Sequence, residues 1–360
     1  MAERNWMIYG AYGYSGQLAV QEAVLRGMTP VLAGRNRDRL LSLADRLGLE
    51  SRCFELGDPD QVALNLQGIS VLLNCAGPFS TTCVPMVKAC FTSGTDYLDI
   101  TGEIEVFEYM AGLNLKAREA GISICPGVGF DVIPTDCLAA VLKMELPTAK
   151  NLALGFFCKS GVSPGTAKTV LESLKYKGRI RKNGAITTVA IVSRVRKIDF
   201  GHGLINTVSV PWGDVSSAYY TTRIPNIIVY SPVPKVAVIP LKLLRIFRFV
   251  LALEMVENVL KQQVEKRLKG PRPEELRAGG ARVWGEVSDG RGNIVQGRFT
   301  TCHPYIYTAR GSVGVAEKIL KGKDNITPGF YTPSKLMGPH YAKTVLGTTR
   351  IRLSRPGRMS

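Results

Sequence analysis

The chain is poor in the groups that most often betray chemistry. It has only three histidines in 360 residues, His202, His303 and His340, and none stands near a second ligating side chain at metal spacing, so no metal site is expected. Its eight cysteines form no C-x-x-C pair. Most lie in apolar runs such as Leu72-Leu73-Asn74-Cys75-Ala76, where a thiol behaves as a small hydrophobe. That excludes a secreted-type disulfide framework and predicts reduced thiols. No uncharged apolar run reaches the roughly 18–20 residues that a membrane span needs. No zinc finger, basic zipper or RNP-type motif is present, so nucleic acid is not an expected partner. There is no Ser-His-Asp, Tyr-x-x-x-Lys or paired-carboxylate constellation, and no catalytic acid is assigned from sequence. Met1-Ala2-Glu3-Arg4-Asn5 runs straight into a strand pattern without a signal peptide, which makes the cytoplasm the expected location.

Acidic residues are also scarce, but only in one part of the chain. The net charge is +17, divided as −4 over residues 1–130 and +21 over residues 131–360. The first part alternates strand and helix signals. Short apolar strands at 6–9, 31–33, 52–56, 71–75, 97–100 and 122–125 are separated by helical spacing at 14–27, 37–47, 59–66, 84–93 and 103–120. Val71-Leu72-Leu73 is apolar throughout, as a strand covered on both faces must be. This rhythm predicts an α/β fold, a Rossmann-type doubly wound parallel sheet over residues 1–145. Strand-like runs at 151–157, 186–195, 204–210 and 226–230, with one helix at 167–175, predict an inserted α+β substrate domain over 146–304. A β-hairpin is expected around Asp289-Gly290, and a helix at 310–320 opens a C-terminal segment, 305–360, expected to pack back on the first domain.

Gly10-Ala11-Tyr12-Gly13-Tyr14-Ser15-Gly16 is a GxxGxxG turn between a strand and a helix within one βαβ unit. Glycines let the backbone approach a pyrophosphate, and the helix that follows directs unsatisfied N–H groups at that anion. Gly10, Tyr12, Gly13, Tyr14, Ser15 and Gly16 are therefore candidate cofactor residues. At the end of the second strand a site for NAD usually carries Asp or Glu for the ribose 2′-hydroxyl. Here Gly34-Arg35-Asn36 stands there, and Arg35 with Asn36 suits a 2′-phosphate, so the expected cofactor is NADP(H). Asp58 is a candidate for the adenine amine and equally a helix cap before Pro59. Cys75, Ala76, Gly77 and Pro78 follow the fourth strand, where small residues let the nicotinamide-side ribose lie against backbone.

Taken in order, these motifs resemble the saccharopine dehydrogenase-like oxidoreductases, a family that includes the trans-acting enoyl reductases. The matching residues continue through Tyr97-Leu98-Asp99-Ile100-Thr101-Gly102-Glu103, Pro126-Gly127-Val128-Gly129-Phe130-Asp131 with Pro134 and Asp136, Pro211-Trp212-Gly213-Asp214, and Gly329-Phe330-Tyr331-Thr332-Pro333. The resemblance implies a Rossmann domain completed by the C-terminal segment, a nicotinamide cofactor and, in the enoyl reductase branch, a lipid-like acyl substrate.

Tyr97, Asp99, Asp131 and Thr166 are candidate substrate-pocket residues, and Glu103 is a further acid beyond a strand end. The segment Leu241–Leu253 combines large apolar residues with Lys242, Arg245 and Arg248 on one helical face, and is expected either to lie at a membrane surface or to pack on its own domain or on another subunit, such as the second copy of a homodimer. The expected function is NADP(H)-dependent reduction of an enoyl or carbonyl group on a hydrophobic acyl substrate. Two alternatives stay open: a dehydrogenase acting on an amino-acid C–N bond, and a non-catalytic NADP(H)-binding sensor or scaffold.

Overall fold

A computed structural model of the chain describes residues 5–158, 177–233, 270–322 and 325–355. They form two compact units, one of Met1–Ile133 with Tyr305–Met337, the other of Pro134–Pro304 with Gly338–Ser360.

The first unit follows β1 (Trp6–Tyr9), α1 (Tyr14–Leu25), β2 (Val31–Gly34), α2 (Arg37–Leu47), β3 (Ser51–Cys53), α3 (Pro59–Asn65), β4 (Val71–Asn74), α4 (Phe79–Ser93), β5 (Asp96–Asp99), α5 (Ile104–Gly112), α6 (Asn114–Glu119) and β6 (Ser123–Cys125). A short late strand, β15 (Gly329–Phe330), pairs with β6 and completes a parallel sheet of order β15-β6-β5-β4-β1-β2-β3. The chain runs outward from β1 to β2 and β3, then crosses to β4 on the other side. Ile8 is therefore flanked by Leu32 and Leu73, and the carboxyl end of β1 is the switch point where such sheets bind ligands.

Helix α2 shows why the segments fold as they do. Asn36 caps it by accepting the Arg39 N–H at 2.9 Å, and Leu40, Leu43 and Ala44 recur on one face and are buried. Each fully buried leucine contributes roughly 1.5–3 kcal/mol. Met7, Tyr9, Leu72, Val62, Leu66, Met86 and Val106 belong to the same core cluster of sheet and helix residues.

Two elements of this unit depart from the sequence expectation. Helix α4 begins at Phe79, five residues before the expected start, because the Glu103 carboxylate accepts the N–H groups of both Phe79 and Ser80 at 2.8 Å. The single helix expected over 103–120 is two helices with a break at Leu113, just after Gly112. The break leaves Asn114 positioned to accept the Phe330 N–H of β15 at 2.9 Å.

The second unit holds α7 (Ile133–Glu145), β7 (Asn151–Cys158), β8 (Gly178–Lys182), β9 (Ala185–Val189), β10 (Val195–Asp199), β11 (Leu204–Val210), α8 (Asp214–Thr222), β12 (Asn226–Pro232), α9 (Pro273–Ala278), β13 (Gly280–Ser288) and β14 (Ile294–Cys302). Its sheet runs β10-β11-β12-β7-β13-β14-β16, where β16 is Arg352–Ser354, and β8 and β9 branch from β12. Among the described residues of this sheet only β12 and β7 pair in parallel, so the sheet is mixed. Leu138 and Leu142 of α7 lie over Gly285 and Gly297 of the β13–β14 hairpin. Arg196 meets Glu286 through two bonds of 2.8 and 2.7 Å and stacks 4.9 Å from the Trp284 ring.

The run expected as one strand over 186–195 is two strands, parted by a turn in which Val192 takes φ 54°. The division of the chain also differs from expectation. Residues 134–145 cluster with the second unit rather than the first, and so does the end of the chain from 338, because β16 pairs with β14. Helix α10 (Pro304–Gly322) replaces the shorter helix expected at 310–320, and α11 (Pro333–Met337) follows β15. Thr166, the helix expected at 167–175 and the segment 241–253 lie outside the described residues. No helix among the described residues is long and apolar enough to cross a membrane.

Candidate cofactor site

The glycine turn is built by contacts that tolerate no side chain. Gly10 donates to Ala33 O at 2.8 Å, and Gly13 donates to Gly10 O at 2.9 Å. A Cβ on Gly16 would stand 2.2 Å from Gly10 O, so the first turn of α1 rests directly on the loop. The helix starts at Tyr14 and Ser15 with Gly13 as N-cap, with no side-chain cap and no acid in its first turn. Its neighbours differ. Asn36 caps α2, Asp58 caps α3 by accepting the Asp60 N–H at 2.9 Å, and Glu103 caps α4. An N-terminus left open behind a glycine turn is the arrangement that receives a phosphate.

At the end of β2 the loop and the strand interlock through Tyr12. Its ring lies against Gly34, where a Cβ would stand 2.5 Å from Cε1. Its hydroxyl accepts the N–H groups of Arg35 at 3.2 Å and Asn36 at 2.9 Å. Arg35 and Asn36 are exposed. The Asn36 side-chain oxygen is engaged in the α2 cap, and Asp58 in the α3 cap, so both have structural work beside any contact with a cofactor.

At the end of β4, Asn74 organises the turn that follows. Its Oδ1 accepts the Ala76 N–H at 2.9 Å, while Nδ2 donates to Thr82 Oγ1 at 3.0 Å and to Tyr97 Oη at 3.3 Å. Thr82 donates in turn to Ala76 O at 2.7 Å. Burial, with the Asp99 charge nearby, pushes the Cys75 thiol up to about 12, so it stays protonated and unreactive at neutral pH. Gly77 is exposed, and Pro78 is the N-cap of α4.

The structure corrects the expectation that Tyr97 and Asp99 face a substrate. Both are fully buried. Asp99 accepts from Tyr97 Oη at 2.9 Å, Thr101 N at 3.0 Å and Gly127 N at 2.9 Å, so its oxygens tie β5 to the β6 loop. Its carboxyl is pushed up to about 6 by burial, against the pull of those hydrogen bonds. Asp131, beyond β6, is partly exposed, and desolvation raises its carboxyl to about 6 as well. Sequence reasoning missed the role of Glu103 as the cap of α4 and that of Tyr12 as a bridge between loop and strand. Neither follows from local pattern.

A parallel sheet, a glycine turn at its switch point, an open helix N-terminus and an arginine at the end of β2 define a Rossmann-type dinucleotide-binding domain. Residues 6–125 match the model of the saccharopine dehydrogenase NADP binding domain, and the cofactor that this match supports is NADP(H). Among curated relatives, a saccharopine dehydrogenase-like oxidoreductase of Bos taurus is 32% identical over 202 residues, 49% of this chain and 47% of the relative. A trans-acting enoyl reductase of Mycobacterium tuberculosis is 33% identical over 192 residues, 48% of this chain and 46% of the relative. The aligned regions thus span about half the length of these curated relatives. Among solved structures, apo saccharopine dehydrogenase (L-Glu forming) from Saccharomyces cerevisiae shares the fold, with a TM-score of 0.63 at 12% identity over 98% of this chain and all of that one.

Proposed function

We propose that the protein is an NADP(H)-dependent oxidoreductase that reduces an enoyl or carbonyl group on a hydrophobic acyl substrate. The observation that carries the cofactor side is the pairing of an uncapped α1 N-terminus with an exposed Arg35 at the end of β2. The pyrophosphate is received by the Gly10–Gly16 turn and the first N–H groups of α1. Arg35 grips the 2′-phosphate, and Ala76 and Gly77 leave room for the nicotinamide-side ribose. The bound nicotinamide supplies the hydride; the chain's residues position it and exclude water. Of the acids beyond strand ends, Asp131 is partly exposed, and a carboxyl poised near 6 suits proton delivery at neutral pH. The enoyl reading of the substrate draws on the resemblance to trans-acting enoyl reductases.

The test is a titration with NADPH and with NADH, followed by cofactor fluorescence. Arg35→Ala should weaken NADPH binding by roughly 10- to 100-fold, as for a lost bond to a charged group, and leave NADH unchanged. Turnover assays with enoyl thioesters, against 2-oxo acid plus amine, then separate acyl reduction from C–N chemistry. Tight NADPH binding with no turnover of either would leave a non-catalytic binder.

A further inference from the structure

The surroundings of Tyr12 hold a second cation beside Arg35. The Arg39 guanidinium stacks 4.9 Å from the centre of the Tyr12 ring and donates one N–H to Tyr12 O at 3.2 Å. The backbone N–H of Arg39 is fixed in turn by Asn36 Oδ1 at 2.9 Å. Arg39 is exposed and joins no carboxylate in an ion pair among the described residues. A guanidinium carries five N–H donors in a rigid plane, so one bond to Tyr12 O leaves four for an anion. Arg35 is tied to the same tyrosine through its backbone N–H. One residue, Tyr12, therefore sets the positions of Arg35, just after β2, and of Arg39, in the first turn of α2, and its own hydroxyl proton is left to donate.

We propose that Arg39, stacked on the ring of Tyr12, is a second ligand for the cofactor's 2′-phosphate, and that Tyr12 is the positioning residue that holds Arg35 and Arg39 in one clamp. The proposal rests on the NADP(H) reading of the domain and adds how this chain distinguishes NADPH from NADH. The ring lies on Gly34, and any side chain there would push it away. Stacking gives the guanidinium a fixed plane, which a lysine ammonium at the same place would lack.

The experiment compares binding of 2′,5′-ADP and 5′-ADP, and of NADPH and NADH, by calorimetry on the full chain. The proteins are wild type, Arg35→Ala, Arg39→Ala, Arg39→Lys, Tyr12→Phe and Gly34→Ala, each checked by thermal melting. Arg39→Ala is expected to weaken the two 2′-phosphorylated ligands about tenfold and leave 5′-ADP and NADH unchanged. Arg39→Lys should recover only part of that loss. Tyr12→Phe keeps the ring but loses the hydroxyl, and should lower the preference several-fold with melting unchanged. Gly34→Ala tests the clamp without replacing either arginine or the tyrosine, by pushing the ring of Tyr12 away, and should lower the preference as well. If Arg39→Ala and Tyr12→Phe keep the full preference while Arg35→Ala abolishes it, Arg35 alone reads the phosphate and the clamp is overturned. If Arg39→Ala weakens all four ligands equally, Arg39 serves the fold or the shared part of the nucleotide, and the specificity role is overturned. If wild type binds none of them, the dinucleotide reading falls and the clamp falls with it.

Discussion

The carboxyl ends of β2 and β5 lie on the same edge of one parallel sheet, yet they treat their polar groups in opposite ways. Beyond β2, Arg35, Asn36 and Arg39 are exposed; Tyr12 and Asn36 hold their backbone N–H groups, and the Arg39 guanidinium spends one N–H on Tyr12 O. At β5, Tyr97, Asp99 and Thr101 are buried together with Asn74 of β4, and their donors and acceptors meet one another. A ligand can use the first set without disturbing the fold. It cannot reach the second without breaking it. Position at a strand end is thus a necessary condition for a ligand contact in such a sheet, and exposure decides between ligand contact and scaffold.

The strongest way to break this contrast is at the turn that serves the open side. Gly16→Ala places a Cβ 2.2 Å from Gly10 O, a contact that only backbone movement relieves. The expected result is a loss of roughly 2–3 kcal/mol in urea unfolding, as for an overpacked site, and nucleotide binding below detection. Gly57→Ala meets no atom within 4 Å and is the matched control, expected to fall within about 0.5 kcal/mol of wild type.

On the closed side, Asp99→Asn is expected to lower stability by about 1–3 kcal/mol, because an amide N–H₂ would face donors that Asp99 now satisfies. NADPH and NADH should keep their ratio, since Asp99 is fully buried. The pH dependence has a definite sign. The Asp99 carboxyl sits at about 6 in the folded state against 3.8 ordinarily, so between those values the folded chain holds more protons than the unfolded one. Stability therefore falls as pH rises from about 4 to about 6, by up to about 3 kcal/mol from this group, and is level above. Asp131 acts in the same direction. Urea midpoints across that window should show a shallower slope in Asp99→Asn. An unchanged slope would move the effect to other carboxyls.

What could be read from sequence follows the same division. Strands β1, β2 and β4 were legible because both faces are covered and the residues are apolar up to the strand ends, where Gly34 and Asn74 stand. Helix α2 was legible because its cap and its buried stripe are local. The strand Gly178–Lys182 was missed: Gly-Arg-Ile-Arg-Lys looks like a polar loop, and it is a strand because Arg181, buried, donates to Val215 O and Gly184 O and stacks 4.1 Å from Tyr219. At the candidate site the glycines and Arg35 stood out, since each is dictated by backbone approach or charge at a known point of a βαβ unit. Tyr12 as a bridge and Asp99 as a buried tie did not, because both depend on partners brought in from other strands. Asp99 and Arg35 look alike in sequence, each polar at or just after a strand end, and only burial tells them apart.

Glu103 sharpens the comparison at its smallest scale. Its two carboxylate oxygens take the N–H groups of Phe79 and Ser80, so the start of α4 carries an anion from within the chain where the start of α1 carries none. Glu103→Gln keeps one acceptor, turns the other into a donor facing an N–H, and removes the charge that opposes the helix dipole. The expected cost is about 1 kcal/mol, in the range of a lost N-cap with its dipole contribution. Because part of that is charge on a half-exposed group, the difference between wild type and variant should shrink as salt rises from low concentration to 0.5 M. Thermal melting at two salt concentrations measures it. A difference that is independent of salt would assign the whole effect to the lost acceptor, and the two helix starts would then differ in hydrogen bonding and not in electrostatics.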